Sequence, residues 1–200
     1  MTSSIPHTVA LICHPGTPSR AVRGIRVRVS RVQGGSLALT FSLKGDLVRV
    51  RVPPPRPPRR ADCLWQHTCF EVFVAVKGGL EYREFNFAPS GEWAGYAFQR
   101  YRDGAQLKED LAPGIIVSSA EDRLELEAVI HLDRLPTTQP RARLKLALCA
   151  VVEEENGLLS YWALRHPPGK PDFHHPDAFA LEIEPPNVDV VDDPAQTWRP

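Results

Sequence analysis

The chain has 200 residues, 42% of them hydrophobic, and its 24 Lys and Arg balance 24 Asp and Glu. That length buries roughly 70% of the unfolded surface in one large domain without staples. Zero net charge argues against a polyanion site, and no apolar stretch approaches the ~20 residues of a membrane span.

Charge is nevertheless segregated, with 11 Arg or Lys against the single acid Asp46 in residues 1–60. The arginines alternate with apolar residues in Ile25-Arg26-Val27-Arg28-Val29 and in Leu47-Val48-Arg49-Val50-Arg51-Val52. That is the period of strands with one solvated face. Leu124-Glu125-Leu126-Glu127-Ala128 is the acidic counterpart, and neighbouring strands of this kind are expected to pair opposite charges on the sheet exterior. Cys13, Cys63, Cys69 and Cys149 form no C-x-x-C pair and read as small core hydrophobes of a reducing compartment. The run Val9 to Cys13 is too short, and lacks the basic leader, for a signal peptide. A cytoplasmic protein is expected.

In chain order, Thr8 to Cys13 is a short strand. Ile25–Val32, Ser36–Leu43 and Leu47–Val52 form a meander, turned at Gln33-Gly34-Gly35 and at Lys44-Gly45-Asp46. Pro53 to Arg60 cannot join a ladder, because five of its eight residues are proline and lack an N–H. It is expected to be a polyproline II strap carrying the chain between sheets, followed by a helical turn over Ala61–Trp65 capped by Asp62. A second meander runs through Cys69–Val76, Tyr82–Phe87 and the strand that starts near Trp93. Gln106–Leu111 reads as a charged loop or single turn. Gly114–Ser119 and Arg123–Leu132 are strands, and Asp133-Arg134-Leu135-Pro136 turns onto a Thr/Pro/Arg linker. Arg143–Glu153 and Leu158–Leu164 form a hairpin about Asn156-Gly157. After an irregular loop, Ala178–Ile183 is the last strand. The fold class is thus all-β, an antiparallel β-sandwich of about eleven strands, as one domain over 1–185 with a Pro-rich acidic tail over 186–200.

Leu64–Tyr101 holds 10 of the 16 aromatic residues, so the site is sought there. Strand parity puts Cys69, Glu71, Phe73 and Ala75 on one face, and Tyr82, Glu84 and Asn86 on one face of the next strand. With Trp65, His67 and Trp93 near the strand ends, these form a patch of carboxylate, amide, imidazole and indole suited to a polyhydroxylated ligand. Closure of the sandwich ends by the two indoles is the plainer alternative. Glu71 and Glu84 are also a candidate pair for glycoside cleavage, which needs two acids roughly 5 to 9.5 Å apart. His166, Asp172, His174, His175 and Asp177 concentrate metal-ligand types, but their spacing matches no site signature. Gly-rich phosphate loops and a nucleophile elbow are not found.

The segments Leu64-Trp65-Gln66-His67-Thr68-Cys69-Phe70-Glu71-Val72-Phe73 and Tyr82-Arg83-Glu84-Phe85-Asn86-Phe87-Ala88-Pro89-Ser90-Gly91-Glu92-Trp93 resemble the DOMON-like proteins of bacteria, which are related to family 9 carbohydrate-binding modules. The resemblance implies a jelly-roll-like sandwich that binds sugar or haem without catalysis. For a sugar it points to Trp65, Glu71, Asn86 and Trp93. His67-Thr68-Cys69 departs from the acids such modules place there. Haem is disfavoured, since Met1 is the single methionine and axial ligation would fall to His or Lys. The function expected is non-catalytic binding of a small polar ligand, a carbohydrate, with neither nucleic acid nor membrane as partner. A haem or metal protein using the loop histidines, or a hydrolase on Glu71 and Glu84, are the alternatives.

Overall fold

Apolar alternation becomes extended backbone almost throughout. The computed structural model describes residues 5–32, 35–108, 111–134 and 142–185. Among these are twelve strands: β1 (His7–Cys13), β2 (Val22–Arg31), β3 (Leu37–Gly45), β4 (Cys69–Val76), β5 (Tyr82–Phe87), β6 (Trp93–Arg100), β7 (Asp103–Gln106), β8 (Gly114–Ala120), β9 (Arg123–Ile130), β10 (Leu144–Glu153), β11 (Leu159–Ala163) and β12 (Leu181–Ile183). Gln33-Gly34 of the first turn, the linker beyond Arg134 up to Arg141, and the tail 186–200 lie outside the described residues. No described helix is long and apolar enough to cross a membrane.

The strands hydrogen-bond in the order β7-β6-β5-β4-β10-β11-β1-β2-β3-β9-β8, with β12 beside the start of β10. Strand β1 makes the corner. Its residues His7–Leu11 pair with β2, and Ile12 and Cys13 pair with β11. The path therefore folds into two layers, an antiparallel sandwich. Inner faces meet in one core: Ile25, Val27 and Val29 of β2, Leu37 to Leu43 of β3, and Leu124 to Ile130 of β9 face Phe70, Val72 and Val74 of β4 and Leu144 to Val152 of β10. The Phe41 and Phe70 rings touch across the layers at 5.1 Å. Each such buried side chain contributes about 1.5–3 kcal/mol.

Four sequence expectations are corrected. Leu47–Val52 is no strand: Leu47–Arg49 is a single 3-10 turn, and only Val50 makes a bridge, to Glu154. The free edge of β3 is taken instead by β9. The exterior charge ladder does not form, because β3 stands between the basic and acidic strands, with Arg26 opposite Ser42 and Ser42 opposite Glu125. Ser42 Oγ donates to Glu125 at 2.9 Å. Asp62 caps nothing; its Oδ1 accepts from the Tyr96 hydroxyl and from Gln106 Nε2. The 3-10 turn begins three residues later, at Leu64–Gln66, entered through Cys63 at φ 61°. Finally, Asp103–Gln106 is a strand, β7, hydrogen-bonded along β6. Of the four thiols, Cys69 and Cys149 are buried as expected, while Cys63 is exposed.

The proline strap crosses from the first layer to the second as expected. Its backbone is tied to the start of β6, with Trp93 N donating to Arg59 O and Ala61 N to Trp93 O.

Candidate functional site

The outer face of β6-β5-β4-β10-β11 is hollow because of which residues meet in register. One row runs Ala94, Asn86, Glu71, Cys149, Ala163. The adjacent row runs Tyr96, Glu84, Phe73, Ala147. On the other side, Val151 stands opposite Tyr161. Small side chains thus floor the sheet around Glu71, and larger rings rise on both flanks.

The loop between β11 and β12 folds back over this face, and Phe173, Ala178 and Phe179 pack with Phe73, Tyr82 and Val151. The space between is a cleft of about 330 Å³, within the ~300–1,000 Å³ of small-ligand sites. Its walls are Trp65, Tyr96, Phe98, Tyr161 and Phe173, its floor Glu71 and Glu84, and Arg102 and His174 stand at the loop side.

The polar groups are positioned in detail. Glu71 is 2% exposed, and its Oε1 has no hydrogen-bond partner. Asn86 Nδ2 donates to Glu84 Oε1 at 2.8 Å, leaving Asn86 Oδ1 unpartnered. Arg102 N–H donates to the Tyr82 hydroxyl at 3.0 Å, and that hydroxyl lies 2.9 Å from His174 Nδ1. His174 Nε2 lies 3.7 Å from Glu84 Oε2. Asp172 holds the loop in place, accepting from the Tyr101 hydroxyl at 2.7 Å, from Arg102 at 2.8 Å and from His174 N at 3.1 Å.

Burial dominates the electrostatics. It pushes the Glu71 carboxyl well above the usual range, and the neighbouring Glu84 charge pushes it further the same way. Glu84 is raised to about 7 by burial, against the Asn86 hydrogen bond and the Arg102 charge. His174 is lowered to about 4 by burial and by Arg102, so it is neutral at physiological pH. Burial and the two carboxylates also push up the thiols of Cys69 and Cys149.

Of the residues expected at the site, Glu71, Glu84 and Asn86 stand together on this face and Trp65 flanks the cleft, 40% exposed and edge-to-face with Tyr96 at 5.7 Å. Trp93 and His67 are elsewhere. Trp93 pairs with Phe87, whose side chain faces inward, so parity sends the indole into the core at 4% exposure with Arg60 over its ring at 4.8 Å. His67 points to solvent and its Nδ1 meets Glu153 Oε2 at 2.7 Å, beside the proline strap.

The loop residues considered for a metal do separate work. His166 Nε2 donates to Ile12 O, Asp172 anchors Arg102, His174 faces Glu84, and His175 Nδ1 accepts from Asp177 N at the head of a 3-10 turn. Among the described residues no three His, Cys, Asp or Glu side chains gather as a metal site. Tyr96 and Phe98 were findable from the sequence by the alternation that places Ala94 outward. Phe173 and His174 were not, because a loop returning from β11 has no period.

The fold is an antiparallel β-sandwich with a cleft on the outer face of one layer, an architecture shared with carbohydrate-binding modules. Solved structures of that architecture match most of the chain. A presumed carbohydrate-binding protein of Bacteroides uniformis aligns with a TM-score of 0.63 at 15% identity, over 87% of this chain and 83% of that one. A family 9 carbohydrate-binding module of Caldicellulosiruptor kristjanssonii, in complex with glucose, aligns with a TM-score of 0.52 at 10% identity, over 89% and 84%. The cellotriose complex of a family 9 module from that organism gives 0.54 at 10% identity, over 94% and 87%. No family model matches the sequence, and no curated protein does.

Proposed function

We propose that the cleft binds a small carbohydrate without chemical conversion. The observation that carries this reading is the buried Glu71 Oε1, which no described donor satisfies, at the floor of a cleft walled by rings. An unsatisfied buried acceptor costs about 1–3 kcal/mol, which a ligand hydroxyl would recover. Aromatic faces suit the C–H surfaces of a pyranose, and Glu84 at the cleft floor offers a second acceptor. Two of the structural neighbours hold glucose and cellotriose, and the likeness of Leu64–Trp93 to the DOMON-like proteins points the same way. A sugar panel followed by tryptophan fluorescence and calorimetry tests it. Micromolar to millimolar binding is expected, weakened at least tenfold by Trp65→Ala. A flat response to every sugar sinks the reading.

The same two carboxyls favour a second reading, glycoside cleavage. Their environments push Glu71 well above the usual carboxyl range and raise Glu84 to about 7, a separation of the kind that an acid and its partner carboxylate need. Release of nitrophenol from aryl glycosides, lost in both Glu71→Gln and Glu84→Gln, would replace binding with hydrolysis.

A further inference from the structure

A neutral sugar leaves one feature of the cleft unanswered, namely its sign. Two carboxyls, Glu71 and Glu84, share the floor, and the cations near them are spoken for. The Arg102 guanidinium is held by Asp172 at 2.8 Å, and the His174 imidazole has its Nδ1 occupied by the Tyr82 hydroxyl. Glu84 is partly satisfied, by Asn86 at 2.8 Å. Glu71 Oε1 is not, and Glu71 is buried almost completely. The rings of Trp65, Tyr96 and Phe98 line the same space, and aromatic faces attract a cation as well as a C–H surface.

Resting on the sugar-binding reading, we propose that the ligand is an amino sugar, a pyranose whose protonated amine seats between Glu71 and the ring walls while its hydroxyls meet Glu84. The ammonium supplies the N–H donor that Glu71 Oε1 lacks. It also places a positive charge beside two carboxyls in a desolvated site, where a charge-assisted hydrogen bond is about twice as strong as a neutral one. A sugar hydroxyl offers the donor without the charge. An acidic sugar would set a further acid beside two carboxyls that already resist ionising together.

The test is calorimetry at pH 7 with glucosamine, galactosamine and mannosamine, each beside its parent hexose and its N-acetyl derivative, in which the amine is capped and uncharged. At least one amino sugar is expected to bind tenfold or more tighter than both of its neutral counterparts. In Glu71→Gln, which keeps the side chain's shape but cannot ionise, that preference is expected to shrink below threefold. Thermal melting of the variant confirms that it is folded. Equal affinity for the amino sugar and its parent hexose overturns the amine assignment and leaves sugar binding standing. Binding of none of the nine sugars overturns both. Retention of the preference in both Glu71→Gln and Glu84→Gln puts the amine elsewhere and overturns the proposal.

Discussion

Glu71 and Glu84 stand diagonally across adjacent strands: Glu71 is opposite Asn86 and Glu84 is opposite Phe73, so both carboxyls leave the same face two residue pairs apart. Like charges this close, in a floor of alanine, cysteine and phenylalanine, resist ionising together.

The consequence is a stability that depends on pH with opposing contributions. Glu84 is raised from its ordinary 4.5 to about 7. The folded chain thus keeps a proton that the unfolded chain has lost, and this contribution is full below pH 4.5 and lost as pH rises through 7. His174 works the other way. Lowered from 6.5 to about 4, it favours the folded state fully above pH 6.5 and loses that contribution as pH falls toward 4. The two oppose each other between 4.5 and 6.5, and only the glutamates act above. Urea denaturation is expected to show Glu84→Gln more stable than the parent at pH 8 by about 1–3 kcal/mol, with the gap closing at pH 4.5. Parallel profiles for the two proteins would count against burial as the source of the shift.

Two tryptophans, Trp65 and Trp93, should answer opposite questions. Trp65 is 40% exposed at the cleft, whereas Trp93 is 4% exposed in the core. Trp93→Ala is expected to cost about 3–5 kcal/mol of stability, as large-to-small core changes do. Trp65→Ala is expected to leave the melting temperature within a few degrees and to weaken sugar binding. A thermal melt paired with a sugar titration separates them, and a large loss of stability from Trp65→Ala would move that residue into the core as well.

The loop over the cleft hangs on Asp172, whose carboxylate joins Tyr101, Arg102 and the His174 backbone. Removing it in Asp172→Ala frees those donors on the solvent side, so the expected stability loss is modest, about 1–2 kcal/mol. The larger effect should be on ligand affinity, because Phe173 and His174 lose their fixed position over the site. Hydrogen exchange should speed up across residues 166–177 while β4 and β5 keep their protection. Uniform exchange across the sheet would assign Asp172 a role in the whole fold instead.

Much of this was legible in advance for one physical reason: strand side chains alternate strictly, so a segment with a recognisable apolar face fixes where every other residue points. The bounds of β4 and β5, the outward Glu71, Glu84 and Asn86, and the inward Phe70 and Phe85 all follow. Trp93 faces inward because it stands opposite Phe87 in the ladder, a pairing that proximity to a strand end does not reveal. Leu47–Val52 has a strand's alternation without a strand's partner, since β9 already occupies that edge of β3. Pairing between distant segments is what alternation leaves open. That is why the role of β9, and the return of Phe173 and His174 over the cleft, came only from the structure.

Glu154 ties the segment before β2 to the irregular crossing, where Val50 bridges it and Arg49 pairs with it. Glu154, 4% exposed, directs Oε1 at three donors: Ser19 Oγ and Arg20 N at 2.9 Å, and Ala21 N at 3.2 Å. Its Oε2 lies 3.6 Å from Arg49. Burial by itself would raise this carboxyl, but the hydrogen bonds from Arg20, Ser19 and Ala21, with the Arg49 charge, bring it below the usual value. A lowered acid stabilises the fold at pH values above 4.5 and loses that contribution as pH falls through its folded value. Glu154→Ala strands buried N–H groups and is expected to cost about 2–3 kcal/mol at pH 7. Glu154→Gln keeps a neutral acceptor in the same place and should cost about half as much. Chemical denaturation at pH 7 and pH 3.5 is the check. Both variants should lie closer to the parent at the lower pH, and a gap that widens on acidification would show that the carboxylate does not hold this crossing.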